Sequence, residues 1–351
     1  METTEPKKGG LRGIARRREV GGSPADLVTA GPLAEGGALP WKLEAAADGV
    51  DLAAWAADRR AALGGLLAEH GALLFRGFGV RTPAELERLV RALCGELLEY
   101  TYRSTPRTQV QGEIYTSTEY PADQSIPMHN EMSYARSWPR KIFFCCATAA
   151  PSGGETPVAD SRRVLRRIPP EVRDRFERLG VCYVRNYGEG IDLPWQDVFQ
   201  TSDRAAVESF CHRAGLELEW RGEDGLRTRQ TCQATAAHPE TGEAVWFNQA
   251  HLFHVSSLPA ELRESLQAAL AEEDLPRSAV YGDGSPIEPG ALQAIREAYA
   301  AESIVFPWHE GDVLFLDNML VAHGRRPYAG PRRILVGMAE PWSIEGIDDG
   351  R

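Results

Sequence analysis

Met128-His129-Asn130-Glu131 sets a histidine and a carboxylate two positions apart, and Val321-Ala322-His323 supplies another imidazole far along the chain. Two imidazoles and one carboxylate can occupy one face of an iron ion and leave its other positions open. Open positions let a metal hold a chelating ligand and O2 together. Arg333 follows the second histidine, and its planar guanidinium matches the far carboxylate of a dicarboxylic acid. The chemistry such a set would do is oxidation of a small molecule with iron, 2-oxoglutarate and oxygen.

An H-x-E pair alone is weak. Eight histidines and 50 acidic residues in 351 positions give roughly one H-x-[DE] by chance. The other example, His238-Pro239-Glu240-Thr241-Gly242, reads as a turn. The first lies in Ser125 to Tyr134, where extended backbone would project His129 and Glu131 from one face. His323 ends the apolar run Phe315 to Ala322, read as a strand, and taken by itself a packed core histidine is the plainer alternative. His251 and His254 have helical spacing but no carboxylate at ligand spacing, so they read as pocket lining or packing. The cysteines lack the paired spacing of a closed zinc site. A zinc hydrolase could use the same three ligands, and Arg333 weighs against it.

The elements that must position these residues are legible in part. Leu52, Trp55, Leu63, Leu66 and Leu67 recur at helical spacing up to Gly71, and Ala72 to Arg76 reads as a strand. Thr82-Pro83-Ala84-Glu85 is a capping box with proline at the first helical position. Strands dominate from about 109 to 160. Helices and short strands mix between about 163 and 305, with helices opening at Pro169-Pro170, Asp203, Pro259 and Pro289. Strands resume at Ser303 to Phe306, Val313 to Leu316 and Arg333 to Met338. Residues 1–38 read as a mobile N-terminal arm and 39–351 as one domain, with an insert at about 163–305.

Apolar residues at 43% and charged residues at 25% suffice for an ordinary core. A net charge of −11 disfavours a general nucleic-acid binder. Arg16-Arg17-Arg18 and Arg162-Arg163 read as solvated surface or, in a sharper reading, as docking points for an acidic partner. Adjacent Cys145 and Cys146 in an apolar run read as buried small hydrophobes on opposite faces of a strand. With no secretory signal and no long apolar run, the expectation is a reducing cytoplasm and no membrane span.

Taken together, these residues resemble the taurine dioxygenase-like, or clavaminate synthase-like, iron(II)/2-oxoglutarate oxygenases from about residue 39 to 345. The likeness rests on His129-Asn130-Glu131, on Gly153-Gly154-Glu155-Thr156, on His323 and on Arg332-Arg333-Ile334. It implies an α+β, mainly β protein with a double-stranded β-helix (jelly-roll) core, flanking helices and a helical insert over the site. It implies Fe(II) on His129, Glu131 and His323. It also implies 2-oxoglutarate held by Thr156 and Arg333, with O2 as second cosubstrate.

Within the family the chain looks most like hydroxylases of peptide-antibiotic pathways, of the syringomycin-biosynthesis type. Ser104 to Arg107, Ile114 to Pro121, His129 to Tyr134 and Trp246 to His251 carry that likeness. It implies hydroxylation of an amino acid, free or bound to an acyl or peptidyl carrier protein. Tyr134, Asn248, Arg107 and Tyr115 are the candidates for substrate contact, and Tyr187 to Asp192 for a lid. Desaturation, epoxidation or cyclisation of another small acid is the alternative outcome. A metal-binding protein without catalysis is the alternative of a different class. Two departures narrow the field. Gly337 stands where taurine dioxygenases carry a sulfonate-binding arginine, and Glu131 is present where related halogenases carry a small residue.

Overall fold

The computed structural model describes residues 27–34, 37, 39–99, 108–117, 120–188, 193–222 and 224–344. The largest element is an eight-stranded sheet. Its order is Val28–Pro32, Trp41–Ala45, Ala72–Arg76, Val313–Asp317, Ser137–Thr148, Arg333–Ser343, Ile114–Thr116 and Gln109–Gln111. All pairings are antiparallel except that of Trp41–Ala45 with Ala72–Arg76. Val28–Pro32 lies within the stretch expected to be a mobile arm, and here it is an edge strand.

The long strands of this sheet alternate, and each face feeds a separate core. Phe143, Cys145, Val313, Phe315 and Leu335 pack against helices carrying Leu63, Leu67, Leu86, Leu89 and Val90. The helix Pro83–Cys94 begins at the expected capping box, with Thr82 Oγ1 accepting from the Glu85 N–H. Phe144, Cys146, Leu314, Leu316, Ile334 and Val336 face the other way. The two cysteines do point to opposite faces.

Opposite that second face stands a three-stranded sheet, ordered Ile126–His129, Val321–Arg325, Val158–Asp160. Its back packs on a third core, shared with the four-stranded antiparallel sheet Glu217–Arg221, Gly225–Cys232, Val181–Tyr187 and Arg277–Tyr281. Most helices lie between Ser161 and Glu302 and surround that sheet.

Three expected elements differ. The helix expected from Leu52 to His70 is two, Leu52–Ala57 and Arg60–His70. Ser303 to Phe306 forms one isolated bridge, Ile304 to Val158. The apolar run Phe315 to Ala322 is broken. Asp317 Oδ1 accepts the N–H groups of Met319 and Leu320, which turns the chain from the large sheet into the small one. That break carries His323 across to the face opposite Phe144. No helix among the described residues is long and apolar enough to cross a membrane.

Candidate metal centre and anion cleft

His129 and His323 are register partners on adjacent antiparallel strands, with ring centroids 4.5 Å apart. Glu131 does not share an extended strand with His129. The strand ends at His129, and a turn over residues 131–134, with Met132 at φ 55°, brings the carboxylate back. The ligand atoms of His129, Glu131 and His323 all lie within 4.8 Å of one another. Glu131 is 3% exposed and His323 4%.

The His129 ring is oriented by a hydrogen bond. Its Nδ1 lies 2.9 Å from the Pro127 carbonyl, which can only accept, so Nδ1 carries the proton. Nε2 is then the lone-pair atom available to a metal. Two imidazoles and one carboxylate converging in this way fit a divalent iron with positions left open.

Beneath the turn that launches the His323 strand is a buried ionic group. Asp317 Oδ2 accepts from Lys141 Nζ at 2.7 Å and contacts His238 Nε2 at 3.0 Å. Burial alone would raise the Asp317 pKa. The hydrogen bond from His238 and the charge of Lys141 outweigh it and hold the carboxyl below its ordinary range. His238 is therefore more than the turn residue expected, although it does close that turn by accepting the Thr241 N–H.

The cleft beside the two histidines, of ≈ 380 Å³ with its mouth included, is lined at one end by His129, His323 and Phe144. Ser117, Thr156, Arg325 and Arg332 line the rest of its polar wall. Thr156 is thus brought to the site as expected. Trp308 Nε1 donates to its Oγ1 at 3.1 Å, which leaves the Thr156 O–H to donate elsewhere.

Arg333 is a correction. It is exposed and does not line the cleft, whereas Arg332, its neighbour, does. Arg332 and Ile334 both line the cleft and Arg333 between them does not, at a register irregularity between Arg333 and Ile334. Arg332 Nε donates to the Gly154 carbonyl at 2.9 Å, and Nη1 approaches Ser117 Oγ at 3.4 Å. Burial, and then the cation of Arg325, lower the Arg332 pKa to about 10, so it remains charged at neutral pH. Gly153 and Gly154 have φ of 70° and 76°. A Cβ on Gly154 would lie 2.9 Å from Arg332 Cδ, and one on Gly153 would lie 2.1 Å from the Pro327 carbonyl oxygen.

The three described substrate candidates, Tyr134, Tyr115 and Asn248, are not among the residues lining the cleft. Tyr134 is 2% exposed and packs its ring against Phe253 and Tyr183. Tyr115 is buried, with its hydroxyl donating to Glu113. Asn248 braces its own loop by donating to the Ala234 carbonyl and accepting the Ala250 N–H. Arg107 lies outside the described residues, as do residues 189–192 of the expected lid. Tyr187 ends a strand and is buried. Arg162 pairs with Asp160 and Glu243, and Arg163 with Glu302, so their charge is matched inside the molecule. Gly337 faces Ile114 and Val90, away from the cleft. Sequence reasoning missed Arg325, Arg332 and Ser117, although Arg325 follows His323 by two positions on the same strand.

The sequence matches the family described as taurine catabolism dioxygenase TauD, TfdA family over residues 32–339. It is 44% identical over 276 residues to the dapdiamide synthesis protein DdaC of Enterobacter agglomerans, covering 79% of this chain and 84% of that one. It is 34% identical over 293 residues to a clavaminate synthase-like protein of Arabidopsis thaliana, again covering 79% and 84%. The fold is shared with PvcB of Pseudomonas aeruginosa, with a TM-score of 0.53 at 16% identity over 93% of this chain and 94% of that one.

Proposed function

The chain belongs to the TauD/TfdA family of dioxygenases, which use Fe(II), 2-oxoglutarate and O2, and we propose that it hydroxylates an unactivated C–H bond of an amino acid in natural-product biosynthesis. In this reading His129, Glu131 and His323 hold the iron. Arg332, in place of Arg333, takes the far carboxylate of 2-oxoglutarate together with the Thr156 hydroxyl. The observation that carries it is one cleft with the paired histidines at one end and Arg332 and Thr156 on its wall.

When bound, iron held by His129, Glu131 and His323 would supply the O2 activation that couples oxidation to conversion of 2-oxoglutarate to succinate and CO2. The chain's own residues bind and orient. Arg332 and Thr156 fix the distance of the cosubstrate from the histidines. Phe144, Ile126 and Ile334 give the cleft apolar wall that limits water around the reacting atoms. The large and small sheets are read as the two faces of a jelly-roll, supported by the crossing of the chain between them at residues 131–134 and 318–320.

The amino-acid reading is supported by the identity with DdaC, a protein named for dapdiamide synthesis. The substrate is read as small, free or carrier-bound. Six free cysteines suit a reducing cytoplasm.

The test is succinate formation with product mass spectrometry, on free amino acids and on the same amino acids loaded on a carrier protein. A gain of one oxygen is expected. Loss of two hydrogens would replace hydroxylation by desaturation or cyclisation. His129→Ala and Glu131→Gln should abolish succinate formation, and full turnover in either would overturn the metal assignment.

A further inference from the structure

The strand Ile126–His129 is an edge of its sheet, paired among the described residues with Val321–Arg325 alone. The carbonyl groups of Met128 and of Asn130, just past the end of the strand, are held by side chains instead. The Met128 carbonyl accepts from His251 Nε2 at 2.9 Å, and the Asn130 carbonyl accepts from Gln249 Nε2 at 2.7 Å. These two side chains, two residues apart at the start of the helix Ala250–Phe253, do what a neighbouring strand would do. The Gln249 N–H is itself fixed by the Tyr183 hydroxyl at 2.7 Å, from the middle of the four-stranded sheet.

Glu131 is gripped from the opposite direction. Asn318 Oδ1 accepts the Glu131 N–H at 2.7 Å, while Asn318 Nδ2 donates to the Glu131 carbonyl at 2.9 Å and to the Pro139 carbonyl at 2.8 Å. Asn130 returns the grip by donating to the Asn318 carbonyl at 2.7 Å and to Ser161 Oγ at 3.1 Å. Asn130 and Asn318 are 0% exposed and Gln249 is 5% exposed, so water cannot substitute for these partners at little cost.

We propose that Gln249 and Asn318 are positioning residues for the metal carboxylate: they clamp the backbone of Asn130 and Glu131 from two sides and so set the aim of the Glu131 side chain. The proposal rests on reading His129, Glu131 and His323 as metal ligands. Neither residue lines the cleft or belongs to the three-residue ligand cluster. Both act through the backbone of the segment that carries the ligand, as partners of metal ligands do elsewhere.

The experiment measures Mn(II) binding to metal-stripped full-length protein by titration, alongside the melting temperature of the metal-free form. The variants are Gln249→Met, which keeps volume but loses the donor, and Asn318→Asp, which sets a carboxylate oxygen against two carbonyls. Leu89→Ala, in the core on the far side of the large sheet, reports destabilisation alone. The expected result is a Mn(II) Kd weakened about 10- to 100-fold in both clamp variants, with the Leu89→Ala Kd within about twofold of wild type. Either clamp variant suffices if the other does not fold. Wild-type binding with unchanged Kd in a folded clamp variant would overturn the clamp alone. An equal loss in Leu89→Ala would do the same. A wild-type protein that binds no Mn(II) would overturn the metal reading, and the clamp with it.

Discussion

At the metal end of the cleft, Glu131 is bonded through both its N–H and its carbonyl by one wholly buried asparagine. On the cleft's anion wall, Arg325 and Arg332 face the same space, and no carboxylate is among the lining residues. Arg325 spends its guanidinium on the carbonyls of Tyr120, Pro121 and Gln124, and its charge adds to the burial that depresses the Arg332 pKa. One end is therefore built to its final geometry by the protein. The other holds two like charges on one cleft wall, where the proposed cosubstrate carboxylate would sit. In the proposed reading precision comes from dry amide hydrogen bonds and affinity from the positive charge of Arg325 and Arg332.

The largest expected effect tests the built end. Lys141→Met leaves Asp317 buried beside the turn it holds, with one charge partner removed. Breaking a buried pair costs about 3–5 kcal/mol, read by urea unfolding. The pH dependence follows from the sign of the shift. The folded pKa of Asp317 lies below its unfolded value of about 3.9, so its contribution is complete above that pH and is lost as the pH falls below it. Lys141→Met should raise the folded value and move acid unfolding to higher pH. A cost below about 1 kcal/mol would show that the turn needs no ion pair, and would weaken the contrast between the two ends.

The next effect belongs to the anion end. Arg332→Leu should raise the KM for 2-oxoglutarate about 100-fold, the ~3 kcal/mol expected when one partner of a buried charge-assisted pair is lost. Its Mn(II) Kd should stay within about threefold of wild type, measured by the same titration. Equal losses in metal and cosubstrate binding would mean that the two ends are one cooperative unit.

The cluster of His129, Glu131 and His323 was legible because its signals are local: an H-x-E and a histidine closing an apolar run. The capping box at Thr82 and the opposed Cys145 and Cys146 were legible for the same reason. The break at Asn318 was passed over, although Asp317-Asn318 interrupts the run with two residues that favour turns, because apolar residues on both sides read as one strand. The turn is made by Asp317 folding back on its own backbone, over partners from Lys141 and His238 that no spacing reveals. Tyr134, Tyr115 and Asn248 carried the family likeness, yet they serve packing and loop bracing. Aromatic rings and amides read alike in a sequence whether they face a cleft or a core. The clamp on Glu131 joins residues 130, 249 and 318, and only the tertiary fold brings those together.

The smallest expected effect concerns the arginine that the sequence favoured. Residues 334–339 of strand Arg333–Ser343 are buried on both faces, Ile334 toward the cleft side and Leu335 toward the helices. Such a strand reads as an unbroken apolar run, so its parity, and hence which of Arg332 and Arg333 enters the site, is not visible in the sequence. A register irregularity between Arg333 and Ile334, opposite Thr148 and Cys146, lies at this point. With Arg333 exposed, Arg333→Ala should change the KM for 2-oxoglutarate by less than about twofold and stability by less than about 0.5 kcal/mol. Steady-state kinetics of the two variants side by side decide the matter. If Arg333→Ala raised KM tenfold and Arg332→Leu left it unchanged, the strand would have to slip by one residue at that irregularity when cosubstrate binds. The anion end would then be movable in its backbone as well as open in its charge, while the metal end stayed fixed by its asparagine.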